Sequence, residues 1–278
     1  MKETNSPPAY LYHYTSIEKL ALILKNQTIR LNPLDTMDDL QEAQTADLNN
    51  IGKFVFVSSW TAETVESIPM WKMYTDPTAG VRIKLHSNPF VRHGTFGKDI
   101  ERVTNIEASD EKQRNMRVDT FLDISDLIQK KFFSPEAWQG DILYPITYTS
   151  DPNLLLPSIV GNSGDGAQIH WGILGKYKNT GWHFQNEWRY IMKFISLAID
   201  DIENLHANTV NTFHRILKGS EPPPFRYFDL KIAPEHFTSM EITISPQISL
   251  GNRILLEALV EKYNPSAVII ESEYRGLL

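Results

Sequence analysis

The β-prone segments of this chain are short and irregularly spaced, and this pattern limits the fold more than any other feature. Residues 53–60 are almost entirely β-prone, and residues 80–85 alternate between apolar and polar side chains, as a strand with one buried face does. About eight or nine such runs are interspersed with helical patterns, without one helix after every strand. The sequence therefore predicts an α+β domain, with a mixed or antiparallel sheet flanked by helices.

Helices are predicted where apolar residues recur every three to four positions. The first follows Thr15 or Ser16, either of which can cap it, has apolar residues at helical spacing up to Leu24 and is expected to stop at Asn26. Longer helical patterns cover residues 111–131, 196–218 and 249–262, and a shorter one covers residues 169–177.

The chain is expected to form one domain over residues 10–278, after a loose lead-in over residues 1–9. No internal repeat and no biased linker divides it. Residues 161–166 are rich in glycine, but no Gly-Lys-Ser/Thr follows them. They are expected to form a surface loop rather than a phosphate-binding loop.

Composition narrows the classes of function. The net charge is −7, which argues against general binding to a nucleic-acid backbone, because such binding requires concentrated Lys and Arg. The chain has no cysteine, so disulfides and thiolate chemistry are excluded. No signal-peptide pattern opens the chain, and no apolar run reaches the roughly 18 residues of a membrane helix. We expect a cytoplasmic protein without a membrane partner.

Four acidic residues lie close together, at Asp35, Asp38, Asp39 and Glu42. Their oxygens could bind a hard metal ion. Carboxylates are also favoured in the first turn of a short helix, where they suit the helix dipole. Since the histidines form no ligand motif either, no metal site is predicted.

His13 ends a predicted strand immediately before a capped helix. It lies between Tyr12 and Tyr14 and is followed by Thr15. One interpretation is a core histidine with a single satisfied hydrogen bond. The other is a histidine that binds a substrate together with Tyr14 and Thr15.

Glu187 is a carboxylate within an aromatic segment that includes Trp188 and Tyr190. Burying it without a partner would be costly. Arg189 is two positions further on, hence on the same face of a strand, and could pair with it. The alternatives are a structural Glu–Arg pair and a carboxylate that orients a substrate hydroxyl or supports a developing cation.

Trp71 and Tyr74 are three residues apart, which places them on one side of a helical turn predicted over residues 69–74. Core packing is one explanation of such a pair. The other is an aromatic wall for a flat ring, to which Tyr74 adds a hydroxyl.

In their order along the chain these segments resemble a bacterial family of unknown function, domain-of-unknown-function family 2971. The resemblance covers Leu11-Tyr12-His13-Tyr14-Thr15 and the helix after it, the acidic turn of residues 38–42, Met70-Trp71 with Tyr74 and residues 80–85, and Gln185-Asn186-Glu187-Trp188-Arg189. Two positions of the acidic turn depart from the family pattern, since Asp38 replaces an asparagine and Leu40 replaces a proline.

The same segments are similar, more distantly, to ADP-ribosyltransferases, which hold NAD in the cleft of a split mixed sheet. The resemblance implies that His13 and Thr15 contact the nicotinamide ribose. It implies that Glu187 is a catalytic residue, which hydrogen-bonds the ribose and supports its oxocarbenium-like transition state. His13 would orient the substrate and is the second catalytic candidate.

The resemblance also implies roles for aromatic and basic residues. Trp60, Trp71 or Tyr74 would stack on the nicotinamide, and Tyr74 is the favoured one, with Trp71 beside it. Arg30 or Arg189 would lie near the phosphates.

The function expected from the resemblance is cleavage of NAD, by an ADP-ribosyltransferase-like transferase or an NAD glycohydrolase. NAD is then a substrate, and no permanently bound cofactor is expected. The acceptor could be a protein or a nucleic acid. Two alternatives stay open, a non-catalytic sensor of a nucleotide-like ligand in a bacterial or phage-defence setting and a nucleic-acid-processing enzyme.

Overall fold

A nine-stranded mixed sheet forms the centre of the protein. The computed structural model describes residues 6–96, 98, 111–137, 141–163, 166–196 and 205–277. These residues form an α+β domain, as predicted, and residues 1–5 of the expected lead-in lie outside them.

The strands of the described residues are short. In chain order they are β1 (Tyr10–Ser16), β2 (Thr28–Pro33), β3 (Val55–Thr61), β4 (Gly80–His86), β5 (His93–Phe96), β6 (Arg117–Thr120), β7 (Phe132–Phe133), β8 (Leu143–Pro145), β9 (Thr147–Thr149), β10 (Val160–Ser163), β11 (Gly166–Ile169), β12 (Tyr177–Asn179), β13 (Glu187–Lys193), β14 (Ile195–Ser196), β15 (Phe228–Lys231), β16 (Glu241–Ile244) and β17 (Val268–Ile270).

The helices of the described residues lie between these strands. They are α1 (Ile17–Asn26), α2 (Ile68–Tyr74), α3 (Glu111–Asn115), α4 (Ile124–Lys130), α5 (Pro152–Leu155), α6 (Leu205–Leu217), α7 (Pro234–Thr238) and α8 (Leu250–Tyr263). Short 3-10 turns cover Leu34–Thr36, Leu40–Ala43, Ile51–Phe54, Pro135–Ala137, Trp171–Ile173 and Thr180–Gln185.

Helix α1 begins after Ser16, one of its two predicted caps, and ends at Asn26, as predicted. The side chain of Ser16 accepts a hydrogen bond from the backbone N–H of Lys19, and Glu18 lies in the first turn. Gln27 ends the helix in the left-handed conformation, with a φ of 56°, and donates its N–H to the carbonyl of Ile23. The helix therefore starts directly from the last residue of β1.

The central sheet is split between β1 and β3. Its strand order is β15-β2-β3-β1-β4-β16-β17, and β13 pairs with the other edge of β3 and with β8. The described ladder between β1 and β3 consists of one pair, Tyr12 and Thr61, whereas β2 pairs with β3 at Val57 and Phe56. Between these contacts, residues 58–60 of β3 have no described strand partner on this edge, and they line a cavity.

Both faces of the sheet carry a hydrophobic core. Trp188, Tyr190 and Met192 of β13 pack into the larger core, which also contains the apolar face of α1. Ile191 packs into a second core on the opposite face. Because both faces are covered, all seven residues of β13 are buried, including its Glu and Arg.

The predicted helix over residues 111–131 is wrong. The chain there forms α3, the strand β6 and α4. Met116 is 56% exposed, whereas Phe121 is buried, so the apolar residues do not form one helical stripe. Asp123 then accepts hydrogen bonds from the backbone and hydroxyl of Ser125, which is a local turn that starts α4 anew.

Two neighbouring predictions are also wrong. The expected loop over residues 161–166 contributes to the antiparallel pair β10 and β11, although residues 164–165 lie outside the described residues. The expected helix over residues 169–177 is a 3-10 turn followed by β12. Gly175 has a φ of +75°, a conformation that stops a right-handed helix. Of the helix predicted over residues 196–218, α6 is present and residues 197–204 lie outside the described residues.

Candidate functional site

A cavity of about 610 Å³ opens at the split in the sheet. This volume lies within the usual range of small-molecule sites. The predicted site residues among those that line it are His13, Tyr14, Thr15, Arg30, Trp60, Tyr74, Glu187 and Arg189. They come from β1, β2, β3, α2 and β13, so the fold brings together side chains that are far apart in the sequence.

His13 and Glu187 reach this cavity from opposite faces of the sheet. Thr61 is paired with both Tyr12 and Glu187, and directly paired residues share a face. His13 follows Tyr12 and therefore points to the other face. Both side chains line one cavity because the sheet is open at this point.

His13 spans the split. Its Nδ1 donates a hydrogen bond to the carbonyl oxygen of Ser59 on β3, 2.8 Å away, and its ring lies 5.0 Å from the ring of Trp60. Burial lowers the pKa of His13 to about 4, and the nearby charge of Lys19 acts in the same direction against the hydrogen bond to Ser59. His13 is therefore neutral at physiological pH, and its Nε2 can accept a hydrogen bond.

Thr15 presents an unusual hydroxyl. Its side chain is buried. Among the described residues, its Oγ1 is one of two buried side-chain nitrogen or oxygen atoms without a hydrogen-bond partner. A buried hydroxyl without a partner is costly. Thr15 lines the cavity through other atoms, because Oγ1 itself is not exposed, and a ligand could use this hydroxyl only after a local rearrangement.

Tyr14 and Trp71 pack together beside the cavity. The Tyr14 hydroxyl accepts a hydrogen bond from the backbone N–H of Ser67, and the two rings meet edge to face at 4.9 Å. The indole Nε1 of Trp71 donates to Oε2 of Glu66 at 2.8 Å. Tyr14 lines the cavity, whereas Trp71 does not. Trp71 thus holds α2, the helix on which Tyr74 also lies, in place. It does not form an aromatic wall of the cavity.

Glu187 belongs to a buried ring of alternating charges. Arg189 donates from Nε to its Oε1 at 2.5 Å and from Nη2 to its Oε2 at 3.1 Å. Arg189 also contacts both carboxylate oxygens of Glu42, through Nη1 and Nη2. Lys178 closes the ring, with its Nζ 3.2 Å from Glu42 and 3.2 Å from Glu187. The expected Glu187–Arg189 pair is present, and the four charges sum to zero.

The ring keeps both partners of this pair charged. Burial opposes ionisation of Glu187, but the positive charges of Arg189 and Lys178 outweigh it and lower its pKa below the usual value. Burial likewise opposes the charge of Arg189, yet Glu187 and Glu42 raise its pKa. Glu187 is therefore an ionised carboxylate in a poorly solvated place, which is a strong local electrostatic source.

Tyr74 is tied to the same ring through Gln185. The amide Nε2 of Gln185 donates to the Tyr74 hydroxyl, and its Oε1 accepts from Nζ of Lys178 at 2.9 Å. Burial, with Asp38 and Glu187 next in effect, raises the pKa of Tyr74. Tyr74 therefore stays a neutral phenol that can donate a hydrogen bond to a ligand.

Arg30 lines the cavity but is already engaged. It pairs with both oxygens of Asp229, at 2.8 and 3.0 Å, and its guanidinium lies 3.4 Å above the ring centre of Tyr227. A phosphate would have to compete with Asp229 for it. Arg189, the other predicted phosphate ligand, is held between Glu42 and Glu187 and is 1% exposed.

Sequence reasoning missed three charged residues of the site. Glu42 was considered only as a metal ligand or helix-opening residue, and Lys178 follows a segment predicted as helix. Lys19, on the cavity side of α1, belongs to none of the sequence motifs described above. Among the described cations that line the cavity, it is the one without a carboxylate partner. Helical spacing from the cap at Ser16 could have shown on which side of α1 Lys19 lies. It could not have shown that this side faces a cavity.

The part of the chain that the structure describes was also compared with the requirements of a metal site and of a membrane helix. There, no three His, Cys, Asp or Glu side chains cluster as a metal site would require, so Asp35, Asp38, Asp39 and Glu42 do not form one. No helix of this part is long and apolar enough to cross a membrane. Comparison of the chain with known protein families, with curated proteins and with solved structures finds no match.

Proposed function

We propose that the protein cleaves the bond between nicotinamide and ribose in NAD, as an ADP-ribosyltransferase-like transferase or an NAD glycohydrolase, and that it belongs to domain-of-unknown-function family 2971. One observation carries this proposal. His13, Tyr74 and Glu187, which the resemblance singles out from three distant segments, all line one cavity at the split of a mixed sheet.

The protonation states of the cavity suit this reaction. The nicotinamide of NAD is cationic while bound to ribose and leaves as a neutral molecule, so its departure needs no general acid. Of the described lining residues with shifted pKa values, none is moved close to 7, since His13 is lowered to about 4 and Tyr74 is raised. General acid–base catalysis at neutral pH favours a pKa near 7, and the cavity favours electrostatic catalysis instead.

Glu187 supplies the electrostatic part. Positive charge develops on the ribose as the bond breaks, and a fixed, poorly solvated carboxylate stabilises it. Because Glu42, Lys178, Glu187 and Arg189 sum to zero charge, this effect depends on the Glu187 oxygens lying nearer to the sugar than the guanidinium does. If the guanidinium lay nearer to the sugar than the Glu187 oxygens, the stabilisation would be lost.

The remaining residues bind the two ends of the substrate. The Tyr74 ring walls the nicotinamide. Nε2 of His13 accepts a hydrogen bond from a ribose hydroxyl, and Thr15, two residues further along β1, lines the same cavity. Lys19 supplies the positive charge for the phosphates, since Arg30 is already paired with Asp229.

A non-catalytic nucleotide sensor is the second candidate, and the contacts of Glu187 favour it. Its two oxygens already accept two hydrogen bonds from Arg189 and one from Lys178. A carboxylate has about four acceptor sites, so little capacity is left for a ribose hydroxyl. A sensor would use the same cavity to bind without turnover.

Nicotinamide release from NAD tests the two candidates. Purified protein, Glu187→Gln and the matched control Glu241→Gln, which alters the partner of Lys84 on β16, are compared with and without candidate acceptors. We expect wild type and Glu241→Gln to release nicotinamide and Glu187→Gln to be at least about a hundredfold slower. Thermal unfolding of each variant shows whether it is folded.

Two results would overturn the proposal that the protein is an enzyme. Background release by wild type, with NAD raising the melting temperature of both wild type and Glu187→Gln, would establish the sensor instead. Background release without any stabilisation by NAD would remove both candidates.

A further inference from the structure

The charge ring around Glu187 is built from rigid and distant parts of the chain. Arg189 lies on β13 and Lys178 on β12, whereas Glu42 lies on the 3-10 turn Leu40–Ala43. This turn packs tightly on its neighbour, since a Cβ added to Gly52 would lie 2.6 Å from the Cβ of Ala43. The Glu42 side chain is 2% exposed, so it has little room to move.

The guanidinium of Arg189 is gripped from both sides. Glu187 holds Nε and Nη2, and Glu42 holds Nη1 and Nη2. A guanidinium is planar, and paired carboxylate contacts fix its orientation. Glu42 therefore determines where the guanidinium lies, and the guanidinium determines where the Glu187 oxygens lie.

Lys178 contributes charge to the same carboxylate from another direction. Its Nζ contacts Glu42, Glu187 and the amide oxygen of Gln185. Loss of Lys178 alone leaves the ring with a charge of −1, and loss of Glu42 alone leaves it with +1. Both states are costly in a buried place, whereas loss of both leaves a neutral Arg189–Glu187 pair.

We propose that Glu42 and Lys178 are positioning residues of the Glu187 carboxylate. Glu42 acts on it through Arg189, Lys178 contacts it directly, and their charges affect it in opposite directions. A role of these two residues in catalysis rests on the proposed function. Their effect on the position and ionisation of the Glu187 carboxylate does not. Neither residue needs to touch the substrate for this role.

The surroundings of Glu187 allow this effect to be measured by titration. The charged groups near it are Arg189, Lys178 and Glu42, with Asp38 further away beyond Tyr74. On its other sides lie Ser59 of β3 and Tyr148 of β9, whose hydroxyl accepts the backbone N–H of Glu187. Removing Lys178 should raise the titration midpoint of Glu187, and removing Glu42 in addition should bring it down again.

The experiment follows the Glu187 side-chain carboxyl by ¹³C NMR against pH, in wild type, Lys178→Gln and Lys178→Gln/Glu42→Gln, with the signal assigned by its loss in Glu187→Gln. We expect the midpoint to rise by about one pH unit in the single variant and to return at least halfway in the double variant. Glu42→Asp, which keeps the charge, should leave the midpoint within about 0.3 of wild type.

Activity and stability give independent readings. If NAD is cleaved, kcat should fall at least tenfold in Glu42→Gln with little change in KM, and Glu42→Asp should recover part of it. The melting temperature of the double variant should exceed that of the less stable single variant. Since the NMR titration needs no turnover, an inactive wild type would refute the proposed function alone.

An unchanged Glu187 midpoint in Lys178→Gln would overturn the inference. So would additive losses of melting temperature in the double variant, because independent packing defects add whereas compensating charges do not. Should Lys178→Gln fail to fold, the Glu187 midpoint is compared between Glu42→Gln and the double variant, which differ only at Lys178. An unchanged midpoint there would overturn the inference.

Discussion

The Nδ1 atom of His13 lies 2.8 Å from the carbonyl oxygen of Ser59, across the point where β1 separates from β3. A side chain thus replaces the backbone hydrogen bonds that a continuous ladder would provide there. The contact also fixes the proton on Nδ1, which leaves Nε2 as an acceptor beside the cavity. The core-histidine and ligand-binding interpretations of His13 are therefore compatible.

Acid should destabilise the protein through His13 before most carboxylates titrate. Its pKa is about 4 in the folded protein and about 6.5 when unfolded. The unfolded chain binds the proton more readily, so the contribution of neutral His13 is complete above about pH 6.5 and is lost as the pH falls towards 4. We expect the free energy of unfolding in urea to fall by about 2 kcal/mol between pH 7 and pH 5 from this group.

The matching variant is His13→Gln, whose amide can still donate to Ser59. Its unfolding free energy should depend less on pH over the same interval. His236→Gln is the comparison. The pKa of His236 is also lowered, by burial and by the nearby His86, but less than that of His13, so His236→Gln should remove less of the pH dependence. Identical pH dependence in wild type and His13→Gln would show that another group carries the effect.

Replacing Arg189 with methionine should be among the most destabilising single changes in the chain. It leaves Glu42 and Glu187 buried, with Lys178 as their shared cation. Breaking a buried pair in this way costs about 3–5 kcal/mol. Denaturant unfolding of Arg189→Met measures this cost.

Charge balance should then partly restore stability. The double variant Arg189→Met/Glu42→Gln leaves Glu187 and Lys178 as a neutral pair and should be more stable than Arg189→Met alone. Arg253→Met, which breaks the surface pairs with Glu257 and Glu271, should have a much smaller effect. If the double variant were less stable than the single one, lost packing rather than charge would explain the result.

Lys19 should distinguish phosphorylated from unphosphorylated ligands. It lines the cavity without a carboxylate partner, close enough to His13 to lower the pKa of that residue. We expect Lys19→Met to weaken binding of nicotinamide mononucleotide about tenfold, since a charged hydrogen bond is lost, and to leave binding of nicotinamide riboside unchanged. Isothermal titration calorimetry measures both affinities.

The control for this prediction is Lys25→Met, on the same helix but outside the cavity lining. It should bind both ligands like wild type. Equal weakening of both ligands by Lys19→Met would mean that Lys19 contributes to the shape of the cavity and not to phosphate recognition.

Glu66 should hold the C-terminal segment against α2. Its carboxylate accepts hydrogen bonds from Trp71 Nε1 at 2.8 Å, from the Ser272 hydroxyl at 2.6 Å and from the backbone N–H of Glu273 at 2.8 Å. Glu66→Ala leaves these donors without their partner, at a cost of about 2 kcal/mol. The Glu273 amide should then exchange its hydrogen markedly faster.

Glu63→Ala removes an exposed carboxylate on the same loop, which contacts Asn186, and serves as the comparison. It should leave the exchange of Glu273 unchanged. If Glu66→Ala protected Glu273 as well as wild type does, the tail would be held by other contacts, such as the Tyr274 hydroxyl on the Glu66 carbonyl.

Local sequence patterns were reliable where one interaction decides the structure. Ser16 caps α1 because its side chain reaches the N–H of Lys19, three residues on. The alternation from Val81 to Leu85 made β4 recognisable, and Arg189 pairs with Glu187 because residues two apart share a strand face. The same patterns misled over residues 111–131, where helical spacing did not correspond to one buried face.

The sequence by itself determined the class of fold, the strands that carry His13 and Glu187, and the need of Glu187 for a cation. Only the tertiary structure decided what these residues meet. Glu42 lies 147 positions before Arg189, to which it is paired, and no local rule specifies a contact across such a distance. The cavity lies where the described β1–β3 ladder is limited to Tyr12 and Thr61. The charge ring exists because packing brings Glu42 and Lys178 from distant segments onto β13.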